Sequence, residues 1–113
     1  MGIWSFLTRS RTDRIVAHVG REVAQRSYQP VLDRVRRRAA TMRIAEARGY
    51  VRARALEIVH RELAAVHDGP IQLEPALQTA IISQATEAVV VHVLAELRSV
   101  PKAATRPIRQ QAA

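Results

Sequence analysis

Residues 31–66, VLDRVRRRAATMRIAEARGYVRARALEIVHRELAAV, decide the fold class. After Pro30 no proline interrupts them and helix formers dominate. Leu32, Val35, Ala39, Met42, Ala45, Gly49, Ala53, Leu56, Val59, Leu63 and Val66 recur at spacings of three and four. That period places them along one side of a helix. Read as one element, the stretch predicts a long amphipathic helix on the order of 50 Å at a rise of about 1.5 Å per residue. Pro30 fits the first turn of this helix, and Asp68-Gly69-Pro70 supplies a glycine-then-proline stop.

Upstream, Thr12 or Asp13 can cap a shorter helix over about 12–27, with Ile15, Val16, Val19 and Val23 inward and Gly20 weakening it. Downstream, a helix opening near Glu74-Pro75 reaches about Ser99 on Leu77, Ile81, Ala85, Ala88, Val91 and Ala95. The ends differ in kind. Residues 1–11, MGIWSFLTRSR, form an apolar-then-basic lead, and residues 100–113, with two prolines and little to pack, read as a disordered basic tail. The expected architecture is all-α, a short, a long and a medium helix within 12–99.

A long helix flanked by two shorter ones leaves apolar surface uncovered. Ile44, Val51, Ala55 and Ile58 form a second apolar row beyond the main stripe. Self-association as a homodimer or higher oligomer would cover it. Ala45, Gly49 and Ala53 place small residues one turn apart, allowing close backbone approach, so with Leu56 and Val91 they form the expected oligomer interface.

Composition narrows the partners. The chain is 113 residues without cysteine, so it carries no disulfide framework and no thiolate metal site. Its most apolar stretch, Ala76 to Leu97, is interrupted by Gln78, Ser83, Gln84, Glu87 and His92, so a soluble, cytoplasmic protein is expected. The net charge of +8 is uneven: residues 1–61 hold fourteen arginines against five acids, and residues 62–99 one arginine against five acids. Such asymmetry points to an acidic partner, nucleic acid or anionic lipid. A GC-rich genome also favours arginine, and that origin competes with a functional one.

On the long helix, Arg36, Arg43, Arg54 and Arg61 fall at separations of seven, eleven and seven, which keeps them on one face with Tyr50 among them. Counterion release makes that row attractive to phosphates, and Tyr50 is a candidate to stack on a base. The competing reading is a solvated charged face, since Asp33, Glu46 and Glu57 lie near its arginines. In the lead, Ile3, Trp4, Phe6 and Leu7 precede Arg9 and Arg11, a pattern suited to a membrane surface or to a partner's groove. These side chains would equally serve by folding back onto the bundle.

Chemistry is sparse. Glu57-x-x-His60 is the one metal-like spacing. Glu22, Glu87 and Glu96 are available as companions, but the region is rich in arginine and a single such pair arises often by chance, so no metal or other cofactor is expected. No nucleophile motif surrounds any serine, and no glycine-rich phosphate loop is present, which argues against an enzyme and against a small-molecule substrate. The sequence therefore predicts a non-enzymatic, oligomeric helical interaction protein whose basic surface engages nucleic acid or another polyanion without sequence specificity. The alternative is a structural adaptor recruited through its N-terminal apolar segment to a membrane surface or larger assembly.

Overall fold

In the computed structural model the described backbone comprises residues 2–66 and 74–112, with side chains described for 11–66 and 74–99. Three helices account for nearly all of it: α1, Gly2–Ala39; α2, Ile44–Val66; and α3, Pro75–Ala112. Each packs against the other two. The Arg26–Glu62 pair and the approach of Arg38 to Tyr50 run α1 and α2 antiparallel. The expected Asp68-Gly69-Pro70 stop lies outside the described residues.

The all-α, three-helix expectation holds, but the chain divides elsewhere. The boundary expected at residues 27–30 does not exist, because α1 passes through Pro30. The long helix expected over 31–66 is instead broken at residues 40–43. An internal proline removes one helical hydrogen bond and crowds the preceding turn, a cost of about 3 kcal/mol. Here Val23, Ser27, Val31, Val35 and Ala39 are buried at steps of four straight through Pro30. Continuous burial of that stripe outweighs the local cost of the proline.

The break arises without glycine or proline. Arg36, Arg37 and Arg38 crowd the last turn of α1, where cations favour the negative end of the helix dipole. Beyond them the turn tightens: Thr41 N–H donates to the Arg38 carbonyl at 3.2 Å, and Met42 N–H to the Ala39 carbonyl at 3.1 Å. The Thr41 hydroxyl also donates to the Arg38 carbonyl at 2.9 Å, the local side-chain bond by which threonine competes with helix. Ala47 N–H then donates to the Arg43 carbonyl at 2.8 Å, opening α2, and Glu46 places an acid in its first turn.

Moving the break re-phases α2. Val51, Ala55, Ile58, Val59 and Leu63 are buried against α1 and α3. The row expected to need a second copy is thus largely covered within one chain, although Ile44 remains 76% exposed. Conversely Ala45, Gly49, Ala53 and Leu56, expected on the main apolar stripe, face outward.

The third helix opens where the sequence places it, Gln78 N–H donating to the Glu74 carbonyl at 3.0 Å with Pro75 in the first turn. Its backbone continues through residues 100–112, where the sequence reading expects a disordered tail. Its segment Pro75–Ser99 is, by length and composition, long and apolar enough to cross a membrane, contrary to expectation from its polar interruptions. In the bundle that segment gives Ile81, Ala85, Val89, Val90, Val93 and Leu94 to the core. The buried interior is aliphatic; Ser27 and Thr86 are its polar members among the described residues, and neither hydroxyl finds a partner there.

Candidate polyanion-binding groove

The break at residues 40–43 turns α2 back along α1 and sets two arginine-bearing helix faces side by side. From α1, Arg34, Arg37 and Arg38 share a face at steps of three and four. From α2 come Tyr50 and Arg54, one turn apart. With Thr41 these residues line an open groove of about 770 Å³. None of the six is acidic.

Tyr50 organises the groove. The Arg38 guanidinium carbon lies 5.9 Å from its ring centroid and that of Arg54 6.0 Å, both in the range of cation–π attraction. Arg54 is further held by an ion pair with Glu57, its Nη2 lying 3.1 Å from the carboxylate, while its Nε is buried without a partner among the described residues. Tyr50 is half-buried, with two cations within reach of its ring. It is therefore better placed to fix guanidinium groups than to stack on a base.

The number of unpaired arginines gathered there distinguishes this end of the molecule, because Arg11, Arg14, Arg21 and Arg98 also lack a carboxylate partner among the described residues but are spread along α1 and α3. The ion pairs among the described residues are Arg26–Glu62, Arg52–Glu87, Arg54–Glu57 and Arg61–Glu62. Arg34, Arg36, Arg37, Arg38, Arg43 and Arg48 therefore have no carboxylate partner among those residues, and all six are exposed. Asp33, the acid nearest in sequence to Arg34, Arg36, Arg37 and Arg38, accepts a hydrogen bond from Gln29 at 2.9 Å, and Glu46, between Arg43 and Arg48, is exposed in the first turn of α2.

The expected row of Arg36, Arg43, Tyr50, Arg54 and Arg61 does not survive as a row. Its spacing assumed one helix, but Arg36 belongs to α1, Arg43 to the turn and the other three to α2. Tyr50 and Arg54 enter the groove, whereas Arg61 lines a neighbouring hollow with Pro30, Asp33, Arg34, Glu57 and Ile58, where acids balance it. Arg34, Arg37 and Arg38 do not share a face with Arg43 on a continuous helix, so a one-helix spacing does not select them. The signal that could have found them is the Arg36-Arg37-Arg38 run followed by Thr41, which marks a helix end and so a hairpin.

The remaining candidates are placed differently. Ala45, Gly49, Ala53, Leu56 and Val91 are all exposed, and Val91 stands 60% so. A side chain added at Gly49 would meet nothing within 4 Å. The side chains of Ile3, Trp4, Phe6 and Leu7 lie outside the described residues, although the backbone there continues α1. Glu57, half of the metal-like pair, is bound to Arg54, and no group of three or more metal-ligating side chains converges among the described residues.

A second groove runs between α1 and α3, about 820 Å³ in volume and bordered by Gly20, Ala24 and Tyr28 on one side and Ala88, Val89 and His92 on the other. Arg21 and Glu96 bring one charge of each sign to its rim. Comparison with known proteins adds no assignment: the chain matches no family model, and no curated protein or solved structure gives a significant match.

Proposed function

We propose that this protein is a non-enzymatic helical interaction protein that binds a polyanion, nucleic acid above all, through the end of the bundle where α1 turns into α2. One observation carries the reading. Six exposed arginines at that end, Arg34, Arg36, Arg37, Arg38, Arg43 and Arg48, have no carboxylate partner among the described residues. A helix arginine gains by pairing with an acid one turn away, as Arg54 does with Glu57, and six lie together here without one. Neighbouring arginines left unpaired repel one another, and a phosphate backbone relieves that repulsion while releasing its own counterions.

Binding of this kind positions a protein on a phosphate backbone and carries little sequence information. The experiment is titration of the purified chain against a fluorescent duplex across a salt series. The expected result is sub-micromolar affinity at low salt with a steep linear fall of log affinity against log salt. Absence of binding at low salt sinks the reading.

The adaptor alternative rests on the Trp4 and Phe6 lead. Self-association retains a candidate surface in the outward face of α2, Ala45, Gly49, Ala53 and Leu56. Sedimentation of the full chain with and without residues 1–11 tests both.

A further inference from the structure

We propose that Arg34, Arg37, Arg38 and Arg54 form one phosphate-binding groove in which Tyr50 positions guanidinium groups and does not read bases. The inference rests on the polyanion reading and narrows it from a basic end to a built site.

The fold itself argues for a shared ligand. Arg34 precedes Arg37 by three residues and Arg38 by four, spacings at which like charges on a helix face repel. Across the groove α2 adds Arg54, whose buried Nε has no acceptor. The C-terminal dipole of α1 offsets part of this repulsion, and the Tyr50 ring holds two of the four cations. Glu57 pairs with Arg54 from outside the groove and no acid lines it, so Arg34, Arg37 and Arg38 are left without a carboxylate among the described residues. Guanidinium groups donate in a planar fork that matches phosphate oxygens, so a phosphodiester run is the complement that satisfies it.

Tyr50 then differs from an open stacking platform. With Arg38 and Arg54 both about 6 Å from its centroid, its ring is engaged by cations belonging to the site. Binding through phosphates alone makes single strands and duplexes of equal charge comparable ligands. It also makes an inorganic polyphosphate a competitor, which a base-reading surface would not show.

The test compares two charge-matched variants of the full chain. R34Q/R37Q/R38Q removes three exposed groove arginines, and R14Q/R21Q/R98Q removes three exposed arginines elsewhere. Melting by circular dichroism verifies that both fold. For a fluorescent duplex, the groove variant is expected to lose at least about tenfold in affinity and about two to three units of salt slope, the control less than about threefold. Tripolyphosphate is expected to displace the duplex and to raise the melting temperature of the unaltered chain but not of the groove variant. Tyr50→Phe retains affinity and salt slope, whereas Tyr50→Leu lowers both for single strand and duplex alike.

Equal losses in the two triple variants overturn the groove and leave the polyanion reading standing as diffuse charge. Failure of tripolyphosphate to compete, or a Tyr50→Leu loss confined to single strands, overturns the phosphate-only assignment. No duplex binding by the unaltered chain removes the parent reading. Capture by phosphatidylserine-rich vesicles in its place transfers the arginines to a membrane surface and overturns the nucleic-acid assignment.

Discussion

The two grooves of this bundle are close in size and opposite in character. Between α1 and α3 the walls are largely small and apolar, and the rim carries both Arg21 and Glu96. Between α1 and α2, at the turn end, the walls are four arginines, a threonine and a tyrosine. Each holds one half-buried tyrosine, Tyr28 in the first and Tyr50 in the second. Packing explains the α1–α3 groove: Gly20, Ala24, Ala88 and Ala95 lack the bulk to fill the space between two helices. Packing does not explain the other, because like charges placed together oppose folding and nothing in the bundle needs them there. A cleft left by small side chains carries no net charge, whereas the other gathers Arg34, Arg37 and Arg38 without a carboxylate partner among the described residues, and the proposed phosphate ligand rests on that difference.

That contrast breaks if charge works equally well from either groove. Reversal at Arg37 and Arg38 to Glu is expected to weaken duplex binding by about a hundredfold or more, because each change removes a phosphate contact and adds repulsion. The same reversal at Arg21 and Arg98 is expected to stay within about tenfold, as long-range charge only. Equal effects, read by fluorescence anisotropy at one salt concentration, would erase the distinction.

The tyrosines sharpen it. Tyr28→Ala and Tyr50→Ala each leave a partly buried ring unfilled and are expected to cost about 2 kcal/mol in urea unfolding, below the range for fully buried aromatics. Only Tyr50→Ala is expected to weaken the duplex complex, by about fivefold, since Tyr28 has no guanidinium group over its ring among the described residues. A matching loss at Tyr28 would show that affinity follows stability and not the arrangement of the groove.

The glycines give the smallest effect. Gly49 lies mid-helix on the open face of α2, and Gly49→Ala is expected to stabilise the chain by about 1 kcal/mol by restricting the unfolded state. Gly20→Ala is expected to gain less, since the new methyl would meet Gln84 Nε2 at 3.4 Å in the α1–α3 groove. A loss at Gly49 would reveal that something else covers that face, and concentration-dependent melting would identify a second copy.

How far the residues alone carry can be read from particular positions. Glu74-Pro75 marks the start of α3, and Ile81 and Ala85 of the expected row are buried. Val91 and Ala95 of that row are exposed and Val89 and Val93 are buried instead, because an apolar period is local and its phase against the other helices is not. Pro30 misled, since its local cost is visible in the sequence and the compensating burial of Val31, Leu32 and Val35 is not. Thr41 after the Arg36-Arg37-Arg38 run is a signal that the apolar period overrides, because a threonine in a helical run becomes a stop only when both flanking helices gain by folding against each other. Tyr50 and Arg54 were picked out from a helix that does not exist, and two of its five chosen residues still reached the groove because both lie on the true α2.

The sequence by itself determined the class of structure and the sign of the charge on its first half. Apolar residues at helical spacing, with few aromatics and no cysteine, leave aliphatic helices as the means of burying a core. Fourteen arginines against five acids over residues 1–61 make that half cationic in any fold. The tertiary structure decided where the charge converges. Arg34, Arg37 and Arg38 lie well over ten residues from Tyr50 and Arg54, a separation that no helical period relates. They meet because α1 and α2 bury Val35, Ala39, Ala47 and Val51 only by folding back at residues 40–43. A pattern within one helix encodes which side is buried; which helix lies opposite depends on the summed packing of all three.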